Sequence, residues 1–141
     1  MTDIKTRIEN AKKVITGNES LLDMLDADGA TSLLNWGNDL AGQIAQSTEG
    51  MDDSSAELNI EPRLKALRQF MRSVGNWAAG KYADAESRAP LKDKLLEHVQ
   101  TMNLAKIEIS SASGLESLLM MGGNTQGQAI LKLRDLLTTS G

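Results

Sequence analysis

Residues 56–87, AELNIEPRLKALRQFMRSVGNWAAGKYADAES, decide the fold of this chain. Apolar side chains recur here every three or four residues, the spacing that places them on one face of an α-helix. Pro62 falls near the first turns, where a helix tolerates proline. The stretch therefore predicts one long helix over about 56–87, whose apolar stripe consists of Ile60, Leu64, Leu67, Met71, Val74, Ala78, Tyr82 and Ala85.

The same periodicity recurs on both sides of the long helix, and turn residues such as Gly17-Asn18 separate the periodic segments. Ser54 and Glu57 have the spacing of a capping box and predict the start of the long helix. Residues 107–109 have the composition of a short strand, but no other segment is suited to pair with them. The sequence predicts an all-α, single-domain bundle over residues 1–141, with main helices near 4–15, 31–47, 56–87, 91–106 and 125–139 and short ones near 19–27 and 115–121.

Composition narrows the classes of function. The chain has 141 residues, enough for one domain with a substantial core. It lacks cysteine, which excludes disulfides, thiol catalysis and Cys-ligated metals and fits a cytoplasmic location. No run approaches the roughly 20 apolar residues that a membrane-spanning helix needs, so we expect no membrane association. The net charge of −4 does not favour nucleic-acid binding by default.

Residues 75–82, GNWAAGKY, match the first positions of the nucleotide-binding pattern G-x-x-x-x-G-K. A phosphate loop needs a preceding β-strand, free backbone N–H groups and a Ser or Thr after the lysine. The stretch before Gly75 is instead helical in pattern, and Tyr82 follows Lys81. We therefore predict helix at this position, with Gly75 and Ala79 allowing close approach of another helix, or a bend near Gly80.

A basic stretch of five cations and no acid lies between Pro62 and Ala83. At about 100° per residue, Lys65, Arg68 and Arg72 fall within about 60° of one another on one flank of the apolar stripe. These three residues are called the basic strip. The strip is suited to bind phosphates or an acidic protein surface. The alternative is neutralisation within the chain by acidic stretches at 19–28 or 49–61, including a Glu61–Lys65 pair.

Phe70 and Trp77 form an aromatic edge on the opposite flank of the same helix. Aromatic residues are enriched at the energetic centres of protein interfaces, so this edge is a second candidate interaction surface. The alternative is that another helix of the bundle covers it.

No catalytic, metal or cofactor site is predicted. His98 is the only histidine, and the sequence places no nucleophile or orienting carboxylate beside it. Di-iron bundles need Glu-x-x-His pairs, whereas Leu95 stands at the position three before His98.

The sequence favours a non-enzymatic accessory or regulatory module that binds another protein or a second copy of itself. The candidate interaction residues are Lys65, Arg68, Arg72, Phe70 and Trp77. Two alternatives stay open. An anion or nucleic-acid binder would use the basic strip, and an enzyme would need a polar site assembled across helices, including His98 or Tyr82.

Overall fold

The computed structural model describes residues 3–16, 22–82, 84–104, 112–120 and 126–137. Every regular element in these ranges is an α-helix, which confirms the predicted all-α bundle. The possible strand at 107–109 and residues 19–21 of the predicted short helix lie outside the described residues. The helices are α1 (Ile4–Thr16), α2 (Ala27–Gln46), α3 (Asp53–Ala78), α4 (Ala85–Arg88), α5 (Leu91–Met102), α6 (Ala112–Met120) and α7 (Gln126–Leu137).

Aspartates fix the starts of both long helices earlier than the sequence pattern predicts. The Asp26 side chain accepts a hydrogen bond from the Gly29 N–H at 2.7 Å, so α2 begins at Ala27. The Asp52 side chain accepts from the Ser55 N–H at 2.8 Å, so the predicted capping box starting at Ser54 is wrong by two residues. An aspartate carboxylate accepts a hydrogen bond from an otherwise unpaired N–H, and its negative charge interacts favourably with the positive end of the helix dipole.

The long helix ends at Ala78, so the predicted continuation to residue 87 is wrong. Gly80 has φ +78°, a left-handed conformation that glycine adopts without steric cost. The Gly80 N–H donates to the Trp77 carbonyl at 3.0 Å, and the Lys81 N–H donates to the Asn76 carbonyl at 2.9 Å. These two bonds form a Schellman motif. The Gly80-Lys81 pair that imitates a phosphate loop is therefore a helix end, and its N–H groups are bonded to the helix.

We expect Gly80→Ala to lower the free energy of unfolding by about 1 kcal/mol, because alanine is strained at positive φ. No atom lies within 4 Å of an added Cβ, so the backbone alone sets this penalty. Gly42→Ala is the control, since its Cβ would make ordinary 3.8 Å contacts and alanine favours the interior of a helix. Urea unfolding followed by circular dichroism measures both. Equal stability of Gly80→Ala and the wild type would contradict the helix-end assignment.

The core is formed by the inner faces of α1, α2, α3, α5 and α7, with α6 closing one end. Three helices meet at Gly37 of α2, where an added Cβ would lie 2.5 Å from the Met71 sulfur and 3.1 Å from Ile15 Cγ2. A glycine at this crossing lets α1 and α3 approach α2 closely. In contrast, α1 scarcely touches α3, which leaves an opening between them.

Two buried arginines join segments that are distant in sequence. Arg7 on α1 donates to the carbonyls of Thr48 at 2.9 Å and Met51 at 2.7 Å, and it pairs with Asp53 at 3.0 Å. It thereby holds α1 against the turn between α2 and α3. Arg63 on α3 bonds the end of α5. Both side chains fix the position of α3 and of its solvent-facing side.

Candidate functional site

The basic strip, whose exposure the sequence left open, lies on the exposed side of α3. Lys65, Arg68 and Arg72 are all exposed. Among the described residues none of the three makes an ion pair, and Glu61 does not pair with Lys65. Cations without a fixed counter-charge are available to an anionic partner. Binding of a partner by the strip stays a prediction.

The aromatic edge is buried in the fold, so the prediction that it forms an interaction surface is wrong. Phe70 is fully buried and packs edge to face with Trp36 of α2, with ring centroids 5.2 Å apart. Trp77 is 8% exposed, and its indole N–H donates to the carbonyl of Leu119 on α6 at 3.1 Å. Helices α2 and α6 therefore cover this flank, which is the alternative that the sequence left open.

A groove of about 500 Å³ lies between α1 and α3, beside the basic strip. It exists because α1 packs on α2 and scarcely touches α3. Its rim carries Glu57, Glu61 and Arg68, and its floor is apolar, formed by Ala11, Ala56, Ile60 and Leu64. We call it the α1/α3 groove. Arg68 belongs to both the rim and the basic strip, so the apolar floor and the strip adjoin here.

The exposed side of α3 changes sign along its length. The capping residue Asp52 and the first helical residue Asp53 precede Glu57 and Glu61, and the basic strip follows. Carboxylates near the start of a helix interact favourably with the positive end of its dipole, so the arrangement stabilises the helix. Leu58, on the same side, is 76% exposed, which is unusual for a large apolar side chain in this structure.

Arg7 is the groove residue that the sequence analysis overlooked. It lines the α1/α3 groove and is only 8% exposed. A signal was present, since Arg7 stands three residues after Ile4 and four before Ala11, on the inward side of α1. A charged residue at such a position is expected to reach hydrogen-bond acceptors inside the fold.

His98 is half-buried on α5, and its Nε2 atom is buried without a hydrogen-bond partner among the described residues. Burial lowers the pKa of His98, Glu97 opposes that shift and Lys94 adds to it. In the described part of the chain no three His, Asp or Glu side chains are grouped closely enough to hold a metal ion. We assign His98 no ligand.

We expect the folded protein to lose stability as the pH falls below about 6.5, the ordinary pKa of histidine. The unfolded chain protonates His98 first, because the folded pKa is lower, so each added proton favours unfolding. The carboxylates of Asp3, Asp52 and Asp84 accept backbone N–H hydrogen bonds from Thr6, Ser55 and Ser87, which lowers their pKa, so they do not titrate in this window. The urea midpoint of the wild type should be lower at about pH 5 than at about pH 7.5. The midpoint of His98→Gln should change less between these two pH values. Equal pH dependence in the two proteins would contradict this role.

Within the described residues no helix is both long and apolar enough to cross a membrane. Protein-family models, curated proteins and solved structures gave no match to this chain.

Proposed function

We propose that this chain is a non-enzymatic accessory or regulatory module of the cytoplasm that binds a protein on the exposed side of α3. One observation carries the proposal. Three exposed cations without ion pairs among the described residues adjoin an apolar-floored groove that shares Arg68 with them. Such a combination suits a protein segment that carries both carboxylates and apolar side chains.

The α1/α3 groove supports a helical partner. A volume of about 500 Å³ is in the usual range of ligand-binding clefts, and an amphipathic helix is a common occupant of apolar grooves. Its apolar residues would cover Ile60 and Leu64, while its carboxylates would meet the basic strip. Glu57 and Glu61 on the rim repel further acids and favour a partner whose acidic residues lie at one end.

An anion or nucleic-acid binder is the second candidate, because the same three cations would serve it. Three phosphate contacts would give a salt dependence with a slope of about −2.7 on logarithmic axes. The acidic residues one turn away and the net charge of −4 oppose a polyanion, so we favour a protein partner. An enzyme is a weaker candidate, because the α1/α3 groove includes neither His98 nor Tyr82.

The test is a pull-down from lysate with three baits, the wild type, Arg68→Glu/Arg72→Glu and Lys5→Glu/Lys94→Glu. The control variant reverses two exposed cations on α1 and α5, so both variants have the same net charge. We expect the wild type and the control to retain the same discrete protein after nuclease treatment, and the α3 variant to retain at least ~10-fold less. Equal retention by all three baits, or recovery that disappears with nuclease, would contradict a protein-binding strip.

A further inference from the structure

The exposed side of α3 carries a charge pattern that is complementary to itself. Glu57 and Glu61 precede Lys65, Arg68 and Arg72, and all five side chains are exposed. At about 100° per residue they fall within an arc of about 80°. None of the five makes an ion pair within the described part of the chain. The two acidic residues therefore precede the three basic residues along one exposed face of α3.

We propose that this side of α3 binds a second copy of the chain, with the two α3 helices antiparallel. The inference rests on the proposed protein-binding function and names its partner. Reversing one helix places Glu57 opposite Arg72 of the other copy and Glu61 opposite Arg68. Two-fold symmetry makes each pair twice, which gives four ion pairs. A parallel arrangement would place like charges together, so the pattern selects the antiparallel one.

The apolar residues are placed where such an interface needs them. The two-fold axis of this pairing passes between Leu64 and Lys65, so one residue of the groove floor, Leu64, adjoins the axis. The half-buried Ile60 and the exposed Leu58 lie within two turns of the axis. Leu58 and Ile60 lie between Glu57 and Glu61 along α3, so apolar area adjoins the proposed ion pairs, and apolar area bordered by charged residues is common in protein interfaces.

Substitution of Lys65 distinguishes binding of a second copy from binding of an acidic segment of another protein. It lies next to the two-fold axis, one residue out of register with Lys65 of the other copy, and these two like charges oppose association. Lys65→Gln is therefore expected to strengthen self-association, by a few-fold. The same change would weaken binding to an acidic segment of another protein, because it removes one of three cations.

The experiment is sedimentation equilibrium of the full chain at low salt over a wide concentration range. We expect the wild type and Lys5→Glu/Lys94→Glu to form a dimer. Arg68→Glu/Arg72→Glu and Glu57→Lys/Glu61→Lys should each associate at least ~10-fold more weakly. Mixing these two variants should restore a dimer, because one then presents an acidic face and the other a basic face. A variant that carries all four reversals should dimerise alone.

Recovery on mixing also shows that the reversed variants are folded. A wild type that stays monomeric, or single-face variants that dimerise as well as the wild type, would overturn the inference. If the wild type is monomeric but retains a protein through Arg68 and Arg72 in the pull-down, only the second-copy inference fails. If it is monomeric and retains nothing, the proposed function fails as well.

Discussion

Replacement of Phe70 by alanine is expected to lower the free energy of unfolding by about 3–5 kcal/mol. The Phe70 ring is fully buried between α2 and α3 and packs edge to face on Trp36. The substitution removes the transfer free energy of the ring, the aromatic pair and the surrounding contacts, and it leaves a cavity. A domain of this size is stable by only about 5–15 kcal/mol, so the loss is a large fraction of the total.

Urea unfolding followed by circular dichroism measures the loss, and Phe70→Leu is the control. Leucine fills most of the site, so the control should lose clearly less stability than alanine. A loss below about 1 kcal/mol for Phe70→Ala would be typical of an exposed residue. That result would contradict the burial of Phe70 and restore the aromatic edge as a candidate interaction surface.

Replacement of Arg63 by leucine is expected to lower the free energy of unfolding by about 2–3 kcal/mol. Arg63 is 7% exposed, and burial lowers its pKa. Its guanidinium donates to the carbonyls of Met102 at 2.8 Å and Asn103 at 3.2 Å, at the carboxyl end of α5. It also donates to Ser47 Oγ at 2.7 Å and Asn59 Oδ1 at 2.6 Å. A cation that bonds the last carbonyls of a helix also opposes the negative end of its dipole.

Leucine would leave these acceptors without their donor. Arg63→Lys would keep the charge but lose the planar guanidinium, so its stability should lie between those of the wild type and Arg63→Leu. Lys5→Leu is the control, because it removes an exposed cation that lies outside the proposed binding face and should change stability by less than about 0.5 kcal/mol. Urea unfolding of the four proteins gives the comparison. Equal stabilities of Arg63→Leu and Lys5→Leu would show that the bonds to α5 do not stabilise the fold.

Periodicity predicted the helices well and their ends less well. The apolar stripe of α3 continues in phase through Tyr82 and Ala85, which led to the prediction of a helix to residue 87. Gly80 in a left-handed conformation ends the helix despite that pattern. The predicted starts of the two long helices were also wrong, because an aspartate before each expected start accepts the capping hydrogen bond instead.

The candidate site was predicted only in part, because periodicity does not tell which flank of a helix is covered. The basic strip and the aromatic edge are equivalent in pattern, but α2 and α6 cover Phe70 and Trp77 and leave Lys65, Arg68 and Arg72 exposed. That choice depends on how distant helices pack, which spacing within α3 does not encode.

The groove was missed for the same reason. The α1/α3 groove depends on contacts such as that between Arg7 and Asp53, which are 46 residues apart. Residue type does not predict burial even within a single helix. Arg63 is buried, while Arg68, five residues later, is exposed.

Site-specific photocrosslinking tests the central claim, that the exposed side of α3 binds a protein, most directly. A photoreactive amino acid would replace Gln69, which is exposed between Arg68 and Arg72, or Gln100, which is exposed on α5 as a control. The proposed function predicts a discrete covalent adduct from position 69 in lysate, containing a second copy or another protein, and none from position 100. Absence of an adduct at position 69, or the same adducts from both positions, would contradict the claim.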